Sequence, residues 1–138
     1  MGCYAQTELG HGSDVQSLMT TATYDETSES FIINTPSVKA AKWWIGDLGV
    51  FGNYAAVFAQ LIVKGKRHGI HVFIVPVRGK DHKALPGIEV GDVGPKMGYN
   101  CKDNGYLIMN NVKIPRKNML MKYQSVSKDG KYEVLGDE

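Results

Sequence analysis

The sequence is poor in the features that would assign a protein to a class at once. Its 138 residues carry a net charge of only +2, which is too small to indicate a nucleic acid or a membrane surface as partner. No apolar run approaches the ~20 residues that a membrane-spanning helix needs, and no secretory signal pattern is present at the start. Hydrophobic residues make up 43% and charged residues 22%, which is typical of one globular domain with its own core.

Cysteine is scarce, with only Cys3 and Cys101 in the chain. Without a secretory signal, two cysteines are typical of free thiols in a reducing compartment. The four histidines lack the spacing to cysteine, aspartate or glutamate that a metal site requires. We therefore expect neither a disulfide nor a bound metal ion.

Sixteen glycines, frequent β-branched residues and short apolar segments predict strands joined by turns. One hairpin is predicted from residues 17–24 to residues 30–34, across the polar turn DETSE. A second is predicted from residues 54–63 to residues 70–77, across the turn KGKRH. The apolar run YAAVFAQLIV fits a buried helix as well as a strand by periodicity alone, but the glycines that follow it favour the strand.

Further strands are predicted over residues 88–93 and 105–114, and a short helical turn over 115–122 with proline at its first position. The polar stretch after Tyr123 is predicted to be frayed or extended. These segments predict an all-β domain, either an open barrel or two packed antiparallel sheets. Seven apolar side chains are expected in its core: Val57, Phe58, Leu61, Val72, Ile74, Leu107 and Met109.

The run CYAQTELGHGS, residues 3–13, combines hydroxyls, an amide and two closely spaced glycines. A loop of this composition can bring backbone N–H groups and small polar side chains close to a flat ligand with polar edges. Thr7 offers such a ligand a hydroxyl donor, although it can also cap a turn. For Gly10 and Gly12 two explanations stay open, close approach to a ligand or a tight turn with positive φ.

A second candidate segment is KWWIGD, residues 42–47. Adjacent residues of a strand face opposite sides, so one of Trp43 and Trp44 can reach a ligand while the other fills the core or an interface. The alternative is that both tryptophans pack in the core. Gly46 has no side chain to keep a ligand away from its backbone N–H.

Seven segments of the chain, in order, resemble the middle β-domain of peroxisomal acyl-CoA oxidases: CYAQTELGHGS, TTATYD, AKWWIGDLG, NYAAVFAQL, VGDVGPKMGY, DNGYL and IPRKNMLMKY. The similarity covers residues 3–132 and leaves 133–138 as a tail. It implies an FAD-dependent enzyme of the peroxisome that oxidises a fatty acyl-CoA to the trans-2-enoyl-CoA. Oxygen then reoxidises the flavin and hydrogen peroxide is formed.

The resemblance also implies that the chain is one piece of a longer, homodimeric enzyme. In such enzymes, N- and C-terminal helical domains enclose the flavin and the acyl chain together with the β-domain. The glutamate that removes the α-proton belongs to the C-terminal helical domain, so we expect no catalytic residue in this chain and no activity of the chain alone. Glu8 is accordingly expected to be structural.

Three site residues follow from the resemblance. Thr7 and Gly46 are expected to contact FAD, Gly46 at the flavin N5, and Ser13 to lie near the CoA pyrophosphate unless it only caps a turn. Many relatives have proline where this chain has Ile45, so the restriction that proline places on φ is absent here. Two other functions stay open, an acyl-CoA dehydrogenase that passes electrons to a flavoprotein, and a non-catalytic β module for binding or assembly.

Overall fold

The strands of the chain are short runs in which side chains alternate between the interior and the surface, as the period of a β-strand requires. The computed structural model describes residues 1–135. Short 3-10 turns occur at Val15–Ser17, Val38–Ala40 and Arg116–Asn118, and none of the described helices is long and apolar enough to cross a membrane. The strands are β1 Gly2–Ala5, β2 Thr21–Asp25, β3 Ser30–Asn34, β4 Lys42–Gly46, β5 Tyr54–Val63, β6 Lys66–Pro76, β7 Ile88–Asp92, β8 Asn104–Met109, β9 Val112–Pro115, β10 Gln124–Val126 and β11 Tyr132–Val134.

The larger sheet has six strands and is built around β5. One edge of β5 pairs with β6, and β1 and β2 share the other edge, opposite residues 54–57 and 60–62 respectively. From β2 the order continues to β3 and β9. The predicted all-β class is confirmed, with one difference: β1 and β2 run parallel to β5, so this sheet is mixed rather than antiparallel. Long connections between these strands and β5 make parallel pairing possible, whereas tight turns allow only antiparallel pairs.

The smaller sheet contains three antiparallel strands in the order β4, β8, β7. The single strand predicted over residues 105–114 is wrong, because the chain breaks it between Met109 and Val112. Asn111 has a φ of +49° there, in the left-handed region that asparagine enters more readily than most residues. β8 therefore stays in the smaller sheet while β9 pairs with β3 in the larger one, and side chains of both sheets form one core.

Both predicted hairpins are present. In the first, the Asp25 carboxylate stabilises the turn by accepting hydrogen bonds from Thr27 N at 3.1 Å and Ser28 Oγ at 2.5 Å. The second turn is shorter than predicted and consists of Lys64 and Gly65, with φ values of +50° and +76°. Two positive φ values in a two-residue turn match the right-handed twist of the flanking strands.

The core confirms four of the seven expected side chains and corrects three. Val57, Leu61, Leu107 and Met109 are fully buried. The other three, Phe58, Val72 and Ile74, lie on the opposite face of the larger sheet and are only half-buried. Because alternate residues of a strand face opposite sides, the inward positions of β6 belong to Phe73 and Val75 instead.

The polar stretch after Tyr123 contains two extended strands, so of the two predicted alternatives it is extended and not frayed. β10 and β11 form an antiparallel hairpin, whose Val126 is fully buried. Arg116 Nη1 donates to Val126 O at 2.7 Å and Tyr24 Oη donates to Lys128 O at 2.9 Å. The predicted tail from residue 133 therefore begins inside β11, and residues 136–138 lie outside the described part of the chain.

The two thiols are far from equivalent. Cys3 is buried and Cys101 is exposed, and both are free. Within residues 1–135, no group of three or more histidine, cysteine, aspartate or glutamate side chains is placed to hold a metal ion.

Candidate functional site

Thr7 and the tryptophan-glycine segment, which the sequence singles out separately, lie side by side in the structure. Beyond β1 the chain runs antiparallel to the start of β4. Trp43 N donates to Thr7 O at 3.0 Å, and Leu9 N donates to Ala41 O at 2.8 Å. Since Gly46 is the last residue of β4, both predicted flavin contacts belong to one stretch of paired backbone.

A buried ion pair between Glu8 and Lys42 fastens this stretch to the core. Glu8 is 1% exposed and Lys42 is 0% exposed, with Nζ at 3.2 Å from Oε1. Thr20 donates to Oε1 from its backbone N at 2.9 Å and from Oγ1 at 2.6 Å, and Met19 N donates to Oε2 at 2.9 Å. Both carboxylate oxygens are occupied, which agrees with the structural role predicted for Glu8.

The ammonium of Lys42 has two further acceptors, Gln6 O at 3.0 Å and Phe58 O at 2.7 Å. Burial lowers the pKa of Lys42 to about 8, although the charge of Glu8 opposes this shift. For Glu8, burial raises the pKa, but the hydrogen bonds to the carboxylate and the charge of Lys42 outweigh burial and hold it below its usual range. The pair is therefore predominantly ionised near neutral pH. Nothing in the sequence pattern marks Lys42 as Glu8's partner.

The two glycines of the first motif do not serve a left-handed turn. Neither Gly10 nor Gly12 is among the residues with positive φ, so that explanation is wrong. A Cβ atom at Gly10 would lie 3.2 Å from both Cβ and O of Lys39, whereas one at Gly12 would meet nothing within 4 Å. Gly10 thus allows close packing against the turn before β4, and the described residues give no steric reason for glycine at position 12.

The two tryptophans have different environments. A bulge interrupts β4 between Lys42 and Ile45, and Trp44 has a φ of +66°. Trp43 is half-buried and its ring stacks on Tyr106, with centroids 6.2 Å apart. Trp44 is 51% exposed, so packing of both tryptophans in the core is wrong and Trp44 is the more exposed ring.

Gly46 is half-buried at the end of β4, opposite Asn104. Its φ is not positive. A Cβ atom there would lie 3.7 Å from Lys102 Cε, which is an ordinary van der Waals contact. The described residues therefore give neither a conformational nor a steric reason for glycine at this position.

The loop that follows Gly46 is held by two residues that sequence reasoning missed. Arg78 is 9% exposed, and its guanidinium donates to the carbonyl oxygens of Leu48, Gly49 and Gly52 at 2.7, 2.7 and 2.8 Å. The second residue is Asp103, whose Oδ2 accepts hydrogen bonds from the backbone N of residues 50 and 51 at 2.9 and 3.2 Å. Both Arg78 and Asp103 lie far from the loop in sequence, and no local signal could have found them.

Ser13 is exposed in the bend that follows the first motif. Its carbonyl oxygen accepts a hydrogen bond from Val15 N at 3.0 Å. The N-cap residue of the next 3-10 turn, Val15–Ser17, is Asp14 rather than Ser13, and no side-chain hydrogen bond caps that turn. The predicted alternative, that Ser13 caps a turn through its side chain, is therefore wrong.

Comparison with known proteins identifies the family of the chain. The family model described as acyl-CoA dehydrogenase, middle domain, matches residues 3–112. Peroxisomal acyl-coenzyme A oxidase 1 of Homo sapiens is 59% identical over 133 residues, which are 96% of this chain and 20% of the relative. The corresponding protein of Mus musculus is 56% identical over the same shares.

Solved structures show the same similarity. Acyl-CoA oxidase 1 of Arabidopsis thaliana superposes with a TM-score of 0.95 at 53% identity, over 96% of this chain and 21% of that one. Acyl-CoA oxidase-2 of Caenorhabditis elegans, solved with FAD, ascaroside-CoA and ATP, gives a TM-score of 0.96 at 51% identity, over 99% and 21%. The chain spans about a fifth of the length of these relatives. The resemblance in the sequence is thereby confirmed, and the chain belongs to the acyl-CoA dehydrogenase middle-domain family.

Proposed function

We propose that the chain is the middle β-domain of an FAD-dependent, peroxisomal acyl-CoA oxidase. The full-length enzyme oxidises a fatty acyl-CoA to the trans-2-enoyl-CoA and reduces oxygen to hydrogen peroxide. The role of this domain is to provide one wall of the flavin and acyl-CoA sites. The similarity to named oxidases over nearly the whole chain supports this function.

One observation within the chain carries the proposal. Gly46 is a glycine for which the described residues give no internal reason, and it ends the strand that is hydrogen-bonded to Thr7. A ligand that approaches the backbone closely supplies the missing reason, because any side chain would occupy the space between them. The residues present therefore fit a flavin.

Thr7 is the donor of this site. When bound, FAD supplies the hydride acceptor for oxidation of the acyl group. In our proposal the Thr7 hydroxyl donates a hydrogen bond to the polar edge of the ring, where it stabilises the negative charge that reduction adds. The backbone N–H of Gly46 serves the same end at N5, and the exposed ring of Trp44 offers an apolar surface beside it.

Ser13 is the proposed contact of this domain with the substrate. Its side chain is exposed at the end of the motif that contains Thr7, and a hydroxyl there can donate to a pyrophosphate oxygen of CoA. The general base is not proposed among these residues, since Glu8 is buried and its two oxygens are occupied. The base belongs to the C-terminal helical domain of the homodimeric parent.

The test is to express the full-length protein and assay it with palmitoyl-CoA. We expect bound FAD, formation of the enoyl-CoA and an equimolar amount of hydrogen peroxide. An electron-transferring flavoprotein should not be required as acceptor. Enoyl-CoA formation that depends on that flavoprotein and yields no peroxide would indicate a dehydrogenase instead.

A protein that binds neither FAD nor acyl-CoA would contradict both enzymatic functions. A gene whose C-terminal helical domain lacks a glutamate for proton abstraction would point to the non-catalytic module. Both results can be told apart from the dehydrogenase outcome. The first is a loss of ligand binding and the second is a missing base, whereas a dehydrogenase differs from an oxidase in its electron acceptor.

A further inference from the structure

The Glu8–Lys42 ion pair is not explained by stability alone. Both side chains are completely buried, and a buried ion pair is often no more stabilising than two apolar side chains of similar volume, because desolvation of the charges offsets their attraction. An ammonium has three N–H donors. In Lys42 all three have acceptors: Glu8 Oε1 at 3.2 Å, Gln6 O at 3.0 Å and Phe58 O at 2.7 Å.

Two of these three acceptors belong to Gln6 and Glu8, the residues on either side of Thr7 in the sequence. Lys42 binds the carbonyl of the residue before Thr7 and the carboxylate of the residue after it, while Trp43 N binds the carbonyl of Thr7 itself at 3.0 Å. The hydrogen bond to Phe58 connects the same ammonium to β5, the central strand of the larger sheet. The Lys42 side chain thus connects the residues on both sides of Thr7 to the core through hydrogen bonds.

We propose that Lys42 is a positioning residue for flavin binding: its ammonium fixes the backbone of residues 6–8 so that Thr7 presents its hydroxyl to the flavin. This inference rests on the proposed function. Lys42 has no contact with the ligand in this arrangement and acts through Thr7. Its substitution leaves the carbonyl of Gln6 without a donor, and a buried carbonyl without a donor moves toward another partner or toward water.

The experiment compares FAD binding by variants of the full-length holoenzyme. Lys42→Met removes the ammonium at similar side-chain length, and the double variant Glu8→Gln with Lys42→Met also removes the unpaired charge that the single variant leaves buried. Phe31→Leu is the control, because it creates a defect in the core away from the motif. The FAD dissociation constant is measured by flavin fluorescence, and the melting temperature is measured on the apoprotein.

We expect the double variant to bind FAD about tenfold more weakly than the wild type. The control should bind FAD within about twofold of the wild type at a comparable loss of melting temperature. In a Thr7→Ala background, Lys42→Met with Glu8→Gln should have little further effect on FAD affinity, since residues that act as one unit are not additive. A purely structural role predicts equal effects in both backgrounds.

The inference is overturned if the double variant binds FAD within about twofold of the wild type, or if its effect is the same with and without Thr7. The double variant decides the matter even where Lys42→Met alone fails to fold. If the wild type itself does not bind FAD, the proposed function falls, and the inference falls with it. If the wild type binds FAD and the double variant is unaffected, only the inference falls.

Discussion

Arg78 is hydrogen-bonded to Leu48, 30 positions before it in the chain, with Nη1 at 2.7 Å from the carbonyl oxygen. The same guanidinium also binds the carbonyl oxygens of Gly49 and Gly52. The loop that leaves Gly46 is therefore held from its interior side by one buried cation. Its conformation depends on a side chain that lies far from it in the sequence.

Loss of this cation should destabilise the chain. We expect Arg78→Met to lower the free energy of unfolding by about 2–4 kcal/mol, because three carbonyl groups lose their donor in a buried site. Arg78→Lys should recover only part of the loss, since an ammonium lacks the planar fork of donors. Urea unfolding followed by near-UV circular dichroism measures the difference. Equal stability of Arg78→Met and the wild type would show that the loop does not need the guanidinium.

Thr7→Ala should weaken FAD binding to the full-length protein without destabilising the apoprotein. Loss of one hydrogen bond costs about 0.5–1.5 kcal/mol, or about two- to tenfold in affinity, and more if the bond stabilises the charged reduced ring. Thr7→Ser is the matched control, since it keeps the hydroxyl. FAD titration and apoprotein melting are measured on both variants. A loss of apoprotein stability by about 2 kcal/mol with FAD affinity unchanged would make Thr7 a structural residue.

Gly46 and Gly49 make a matched pair for a second test. A Cβ atom at position 46 would meet only the Lys102 side chain, with Cε at 3.7 Å and Nζ at 3.9 Å, whereas a Cβ atom at position 49 would lie 2.9 Å from the Cα atom of Asp92. We expect Gly46→Ala to keep the apoprotein melting temperature and to lose FAD affinity. Gly49→Ala should lower the melting temperature, because backbone must move. Gly46→Val should lose more FAD affinity than Gly46→Ala. Similar melting losses for Gly46→Ala and Gly49→Ala would contradict the assignment of Gly46.

Local patterns were sufficient for most of the fold. The turn residues and the alternation of apolar side chains predicted both hairpins, because hairpin pairing is between neighbours in sequence. The prediction of which β6 side chains face the core was wrong. Val72 and Phe73 are both apolar, and only the packing of the sheet against the rest of the core determines which of them is buried. The parallel pairing of β1 with β5 also has no local signal, because the two strands are separated by three other strands.

The sequence singles out the motifs of the proposed site but not the buried residues that support them. Thr7 and Gly46 are proposed as site residues from residue type and family resemblance, and the hydrogen bond from Trp43 to Thr7 shows that the two motifs are paired in the structure. Lys42 belongs to one of these motifs, but its burial and its pairing with Glu8 depend on contacts between distant segments. The bulge that exposes Trp44 likewise depends on the pairing of β4 with β8.

The chain alone should not oxidise an acyl-CoA. We expect no enoyl-CoA when the purified 138-residue chain is incubated with FAD and palmitoyl-CoA, because none of its proposed site residues removes the α-proton. Loss of one essential group typically lowers a rate by several orders of magnitude. Absorbance of the enoyl-CoA and peroxide formation are the measurements, with the full-length protein as positive control. Turnover by the isolated chain would overturn the assignment of the base to another domain.

The stability of the chain should depend on pH through the Glu8–Lys42 ion pair. The pKa of Lys42 is about 8 in the folded chain and 10.5 as an ordinary lysine, so between these values the unfolded state binds more protons at this site. Stability then rises with pH across that interval. Glu8 gives a dependence of the same sign on the acid side: its pKa is lowered from 4.5, so its contribution is present above 4.5 and is lost as pH falls through the folded pKa.

The double variant Glu8→Gln with Lys42→Met removes both titrations and provides the comparison. The difference in free energy of unfolding, wild type minus double variant, should rise from pH 8 to pH 10 and should fall below pH 4.5. The nearby His11, whose Nε2 is 3.5 Å from Glu8 Oε2, is kept in both proteins. Urea unfolding at about pH 3.5, 8 and 10 measures the difference. A difference that stays constant or falls from pH 8 to pH 10 would show that burial does not depress the pKa of Lys42.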